Sequence, residues 1–395
     1  MKPRARWLSL LAAASMSFPL APASPAFSFD PHHENRLEAK NVIFMVPDGM
    51  GLADVTAARI YKNGIDGPPL HFETMEHIGY QRTYSGNSTI TDSASAASAW
   101  ACGEKFNNGE ICFHGDGRPN PASILELAKG MGMAAGLVAT STITHATPAA
   151  FGAHVANRSC ETEIARQYIE TTRPDVLLGG GLSKFQPVKA DPCGSSGDLI
   201  PRAMKAGYTI VHTKAELDAA ISDGARKLLG LFAMEGMTPV HLRTPGIAEP
   251  RLSEMTATAL GLLEKRRNGF FLMVEGSQVD WGNHAKNEQY QVGETLAFDE
   301  AVKTVLDWIN SSPERRDHTL LIVSPEHETG GFAVNGPADR LLRSGEYVTA
   351  GWTTGDHTGT DVLLWSQGPG SSEVGRALDN TDLYRIMRNA LESED

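Results

Sequence analysis

Basic residues are in deficit in this 395-residue chain: 35 lysines and arginines stand against 47 aspartates and glutamates, a formal charge of −12. That deficit excludes a surface that draws in nucleic acid or anionic membrane by charge alone. Long apolar runs are missing beyond the N-terminus, so the rest of the sequence offers no spanning helix. Cysteine is sparse, four in all with no close CxxC pair, which argues against a four-cysteine zinc site. Internal repeats, low-complexity tracts and interior linkers are absent. What remains is ordinary globular composition, 41% hydrophobic and 21% charged. The length suits one large domain or two average ones.

The N-terminus reads differently. Lys2, Arg4 and Arg6 precede a largely apolar stretch from Trp7 to Leu20, and small residues at Ala21-Pro22-Ala23 and Ser24-Pro25-Ala26 follow at cleavage-like spacing. Residues 1–26 therefore read as a secretory signal peptide, and 27–395 as a single mature domain, periplasmic or secreted, without a membrane span. Losing three basic and no acidic residues takes the charge from −12 to −15. An anionic substrate would then need local cations. An even cysteine count in an exported chain suggests two disulfides. Of three possible connectivities, the nearest-neighbour set Cys102–Cys112 and Cys160–Cys193 is preferred.

Short apolar strands alternate with helix-period segments. Asn41–Val46, Leu137–Thr140, Val176–Leu178, Leu228–Ala233, Phe270–Val274 and Thr319–Val323 read as strands, with helices at Ala122–Gly130, Glu161–Thr171, Leu252–Arg267 and Val292–Ile309 between them. The pattern predicts an α/β chain, one large three-layer αβα domain with a mostly parallel central sheet. Ligands of such folds bind beyond the carboxyl ends of the strands.

Polar clusters follow these strands. Asp48 sits in a Pro-Asp-Gly turn after the first. Glu275 ends another and is followed by Asp280 and His284, four apart and on one face of a helix. Glu326 and His327 follow a third, and His357 lies in a Gly/Thr-rich loop before the apolar run Val362–Trp365. Mixed imidazole and carboxylate donors suit zinc, and an all-oxygen set suits magnesium. Ser93 heads an Ala/Ser-rich helix, where free N–H groups favour an anion. Its hydroxyl becomes a nucleophile if a cation lowers its pKa. Thr147, at a Thr-Pro helix start, offers a hydroxyl, and Arg158 a planar fork for phosphoryl oxygens.

These motifs, VPDGMG, TDSAS, HATPAAF, AHVANR, VEGSQVDWGNH, SPEHETGG and GDHTGT, resemble the alkaline phosphatase family from Asn41 to about Leu391. The resemblance implies an alkaline-phosphatase-like catalytic domain with two zinc ions and one magnesium. Asp48 is implied to bridge a zinc and the magnesium, with Thr147 and Glu275 on magnesium. Asp280, His284 and His357 are implied on the first zinc, and Glu326 and His327 on the second. Ser93 is implied as nucleophile through a phosphoserine intermediate and Arg158 as phosphate clamp. Small phosphate monoesters are the implied substrates, with no nucleic-acid scaffold, in a homodimer. The chain departs from the family pattern at Pro47, at His145 and Trp281 beside the metal ligands, and at Glu326, where Asp is usual. The longer side chain moves the carboxylate by about an ångström. Glu328 is left outside the ligand set. A sulfatase-like Cys-Pro-x-Arg segment is missing around Ser93.

Overall fold

Asn41–Pro47 is apolar at successive positions because both of its sides are covered. Val42, Phe44 and Val46 enter one buried cluster, while Ile43 and Met45 enter a second. Side chains alternate across a strand, so these clusters lie on opposite faces of the sheet. The same split recurs at Phe271 and Met273 against Leu272 and Val274, and at Leu320 and Ile322 against Leu321 and Val323. The continuous hydrophobic runs of the sequence are thus strands buried on both faces.

The computed structural model describes residues 39–187, 192–194 and 197–392. The signal-peptide reading of residues 1–26 lies outside them. In chain order the described strands are β1 (Asn41–Pro47), β2 (His77–Arg82), β3 (Ala134–Thr142), β4 (Val176–Gly180), β5 (Thr209–Val211), β6 (Leu228–Leu231) and β7 (Phe270–Gly276). Then come β8 (Thr319–Val323), β9 (Glu328–Thr329), β10 (Phe332–Val334), β11 (Ala350–Trp352), β12 (His357–Thr358), β13 (Val362–Gln367) and β14 (Ala377–Asp379). Ten of them form one sheet in the order β14-β2-β13-β8-β1-β7-β3-β4-β6-β5. Only β13 runs against the others. In register, Asn41 faces both Phe270 and Thr319, and Pro47 faces Gly276, so the carboxyl ends of β1, β7 and β8 meet at one edge.

Helices Ser93–Cys102, Ala146–Gly152 and Asp382–Leu391 cover one face, and Leu52–Asn63, Leu252–Leu263 and Glu288–Asn310 the other. The result is the three-layer αβα arrangement expected, with residues 36–395 in one compact unit. Several details differ from the pattern-based reading. The helix read from Val292 begins at Glu288, because the Asn287 side chain caps it by accepting the Tyr290 N–H. The strand read to Ala233 stops at Leu231. The short outer strands β2, β5 and β14 gave no strand signal, since they are half-exposed or only three residues long.

Cys102 bonds Cys112 and Cys160 bonds Cys193. Among the described residues, no helix is long and apolar enough to cross a membrane.

The central strand is anchored by Phe44, whose ring meets Trp100 at 5.1 Å and Phe151 at 5.9 Å, all fully buried. Phe44→Ala is expected to lower unfolding stability by about 3–5 kcal/mol, the usual cost of a large buried cavity. Urea titration measures it, and a loss under about 1 kcal/mol would mean that the cavity collapses.

Candidate metal centre

The turn after β1 is built to press against a neighbour. Gly49 has a φ of +75°, and a Cβ there would lie 2.6 Å from the Asp280 Cα, so only glycine fits. The Asp48 N–H donates to the Gly276 carbonyl at 3.2 Å and the Thr329 N–H to the Gly49 carbonyl at 3.1 Å. These bonds lock the ends of β1 and β7 to the loop after β8. His357 precedes the reversed β13, so its loop opens at the edge where the parallel strands end.

The predicted residues gather into three groups, in each of which the ligand atoms lie within 4.8 Å of one another: Asp280, His284 and His357; Asp48, Asp280 and His327; and Asp48, Glu275 and Glu326. In the first, Asp280 Oδ1 lies 3.3 Å from His284 Nε2 and 3.5 Å from His357 Nε2. In the second, His327 Nε2 lies 3.5 Å from Asp48 Oδ1 and 3.3 Å from Ser93 Oγ. In the third, Thr147 Oγ1 donates to Glu326 Oε1 at 2.5 Å. The sequence expectation put Glu326 with His327. Its carboxylate stands instead with Asp48, Glu275 and Thr147, and Asp280 completes the His327 group.

Burial leaves several of these oxygens without a partner. Both Asp48 oxygens, Glu275 Oε1 and Glu326 Oε2 are buried without a hydrogen-bond partner. Burial, then the neighbouring carboxylates, pushes Asp48 well above the usual carboxyl range. Burial and the Glu326 charge push Glu275 up to about 8, and burial lifts Glu326 to about 7 against the side chains of Asp48 and Thr147. Divalent cations would satisfy those orphan oxygens and reverse the shifts. The donors fit them: imidazole and carboxylate in the first two groups, oxygen alone in the third.

Burial, then the charge of His357, holds the His327 imidazole well below its ordinary value, and the neutral ring is the form that ligates. Burial raises Asp280, but the His284 hydrogen bond and the neighbouring imidazoles outweigh it and keep the carboxylate ionised. The bond to Asp280 in turn raises His284 to about 9. Away from the centre, His71, Asp299 and Glu300 also cluster, but Lys62 already bridges Asp299 at 2.9 Å and Glu300 at 3.1 Å.

Ser93 is the first residue of its helix and is buried. Asp92 caps that helix by accepting the Ser95 N–H at 3.0 Å. It also accepts from Arg158 Nη1 at 3.1 Å and from the Gly109 N–H at 3.0 Å. Arg158 Nη2 lies 3.2 Å from His145 Nε2, and the His145 ring stands edge-on to Trp281 at 6.2 Å. Burial and Arg158 lower His145 to about 3, so it stays neutral. Glu328 accepts the N–H groups of Gly331 and Phe332 and shapes the loop, outside all three groups.

Two residues of this neighbourhood were missed in the sequence. Asp92 was read neither as the cap of the Ser93 helix nor as the partner of Arg158. Thr329, whose hydroxyl donates to Asp280 Oδ1 at 2.5 Å and lies 3.3 Å from His327 Nδ1, carried no signal in its Gly-rich turn.

A family model described as alkaline phosphatase matches residues 39–348. Streptomycin-6-phosphate phosphatase of Streptomyces griseus is 34% identical over 93% of this chain and 94% of its own length. Alkaline phosphatase of Escherichia coli K12 is 31% identical over 89% and 86%. Among solved structures, alkaline phosphatase from the Antarctic bacterium TAB5 superposes with a TM-score of 0.78 at 32% identity, covering 91% of this chain and 99% of that one. A variant of that enzyme has been solved with Mg bound in its M3 site. The enzyme from Thermus thermophilus gives a TM-score of 0.80 at 27% identity, covering 93% and 96%. The chain belongs to the alkaline phosphatase family.

Stripped of cations by a chelator, the centre would carry a pH dependence of its own. Glu326 and Glu275 hold protons more tightly folded than unfolded. Their contribution is therefore complete below the ordinary carboxyl range and is lost as pH rises through about 7 and 8. His284, raised to about 9, acts in the same direction. His327 and His145 oppose it only below the ordinary imidazole value, where the unfolded chain gains protons. Chelator-treated protein is thus expected to lose Tm steadily between about pH 6.5 and 8.5, and zinc with magnesium should flatten that slope. Differential scanning fluorimetry with and without metals checks both. Identical slopes would count against cations at these carboxylates.

Proposed function

We propose that this alkaline phosphatase cleaves phosphate monoesters through a phosphoserine on Ser93, at a centre for two zinc ions and one magnesium. The observation that carries the reading is Ser93 Oγ, at a helix N-terminus and 3.3 Å from His327 Nε2, beside buried carboxylate oxygens that have no other partner. Asp280, His284 and His357 would hold one zinc, and Asp48 and His327 the second. Asp48, Glu275 and Thr147 would hold magnesium. Bound cations would lower the pKa of the Ser93 hydroxyl and of water, and offset charge on the reacting oxygens.

The chain's own residues do the rest. Ser93 Oγ attacks phosphorus, the Ser93 O–P bond forms, the ester P–O bond breaks, and the alcohol leaves with a proton. Water then attacks the phosphoserine, restoring the Ser93 hydroxyl and releasing inorganic phosphate. The positive end of the Ser93–Cys102 helix faces the anion throughout. Arg158, held by Asp92 and beside His145, presents a fixed fork to two phosphoryl oxygens. Phosphoryl transfer needs mainly positioning and charge stabilisation, and this arrangement offers both.

Residues 1–26 act in this reading as a secretory signal, delivering 27–395 to the periplasm or the medium as a homodimer. Both disulfides suit an oxidising compartment.

Ser93→Ala is expected to lower kcat/KM for an aryl phosphate monoester by about a thousandfold or more. Acid-quenched wild type should carry the phosphoryl label on Ser93. Full activity in the variant, or diester turnover far above monoester turnover, would sink the reading. Arg158→Ala should chiefly raise KM and the inhibition constant of phosphate, by about ten- to a hundredfold, from the loss of charge-assisted bonds. Steady-state kinetics with phosphate as inhibitor reads both.

A further inference from the structure

We propose that Glu326 is a ligand of the third, all-oxygen cation group and does not ligate the ion held by His327. The inference rests on the metal-centre reading above and changes the division of labour within it. Glu326 and His327 are adjacent in the chain, yet their side chains serve different groups. Glu326 Oε1 accepts from Thr147 Oγ1 at 2.5 Å, and the carboxylate oxygens of Asp48, Glu275 and Glu326 lie within 4.8 Å of one another. The His327 group closes without Glu326, through Asp48 and Asp280.

The backbone fixes where the arm of Glu326 starts. The Ser324 N–H donates to the Met45 carbonyl at 2.9 Å, and Gln81 Nε2 donates to the Pro325 carbonyl at 2.8 Å. With its origin pinned between β1 and β2, the length of residue 326 decides which group it reaches. The Glu side chain ends on Thr147, with Oε2 buried and unpartnered beside the unpartnered oxygens of Asp48 and Glu275. Three carboxylates and a hydroxyl, without nitrogen, define a site for a hard divalent ion of the magnesium class, its remaining positions filled by water. A third negative ligand raises affinity for such an ion. The His327 group, without Glu326, would hold its zinc through Asp48, Asp280 and His327, beside Ser93.

The test equilibrates the purified mature chain in saturating buffered zinc across a series of free magnesium concentrations. Bound zinc and magnesium are counted by plasma mass spectrometry, and Tm is followed in parallel. Glu326→Asp shortens the arm and Glu326→Gln removes the charge while keeping the reach. Both are expected to move the magnesium midpoint to about tenfold higher concentration or more, with bound zinc unchanged. Circular dichroism confirms that each variant is folded. An unmoved magnesium midpoint with a fall in bound zinc would overturn the inference and return Glu326 to the His327 site. Wild type that binds neither metal would instead overturn the metal-centre reading itself.

Discussion

Mutual repulsion among buried carboxylates governs the centre. Asp48, Glu275 and Glu326 are fully buried, with ligand oxygens within 4.8 Å. At an effective dielectric of about 20, each ionised pair at that distance repels by about 3–4 kcal/mol. Protons or cations can relieve that repulsion; outward relaxation cannot, because the scaffold holds the groups in place. Asp48 leaves β1, which is paired on both sides, and Glu275 lies within β7 itself. Such rigidity is what a preorganised cation site requires.

The surrounding polar bonds orient the ligands that the strands deliver. His357 Nδ1 lies 2.9 Å from the Thr91 carbonyl, which leaves Nε2 directed toward Asp280. His284 Nδ1 lies 2.6 Å from the Gly355 carbonyl, with Nε2 also toward Asp280. Carbonyl partners of this kind fix the tautomer and the ring plane of an imidazole ligand. The Thr91 bond has a second effect, since Thr91 lies two residues before Ser93. It ties the His357 loop to the serine segment, so Ser93 and the first group are set by one framework.

The fold was largely legible because a sheet covered on both faces writes its strands as unbroken apolar runs. β1, β7 and β8 were read nearly to the residue, and the ligand positions followed from their carboxyl ends. The reversal of β13 was not legible, since a strand inside such a sheet reads the same in either direction. Asp280 and His284 could be paired from their spacing, because helix geometry relates residues four apart. The destination of Glu326 could not, because it depends on Thr147, 179 positions away in the chain. Asp92 and Thr329 were missed for a similar reason: their bonds to Arg158 and Asp280 cross between elements and leave no periodic trace.

Burial grades the three groups. The side chain of His284 is 36% exposed and that of His357 16%, whereas Asp48, Glu275 and Glu326 are at zero. Solvent therefore reaches the centre from the His284 side. Arg158 keeps its side chain 25% exposed, whereas Ser93 is buried. The three carboxylates of the third group are fully buried, and Asp48 joins them to the His327 group beside Ser93. At position 326 the length of Glu carries its carboxylate to Thr147, within reach of Asp48 and Glu275.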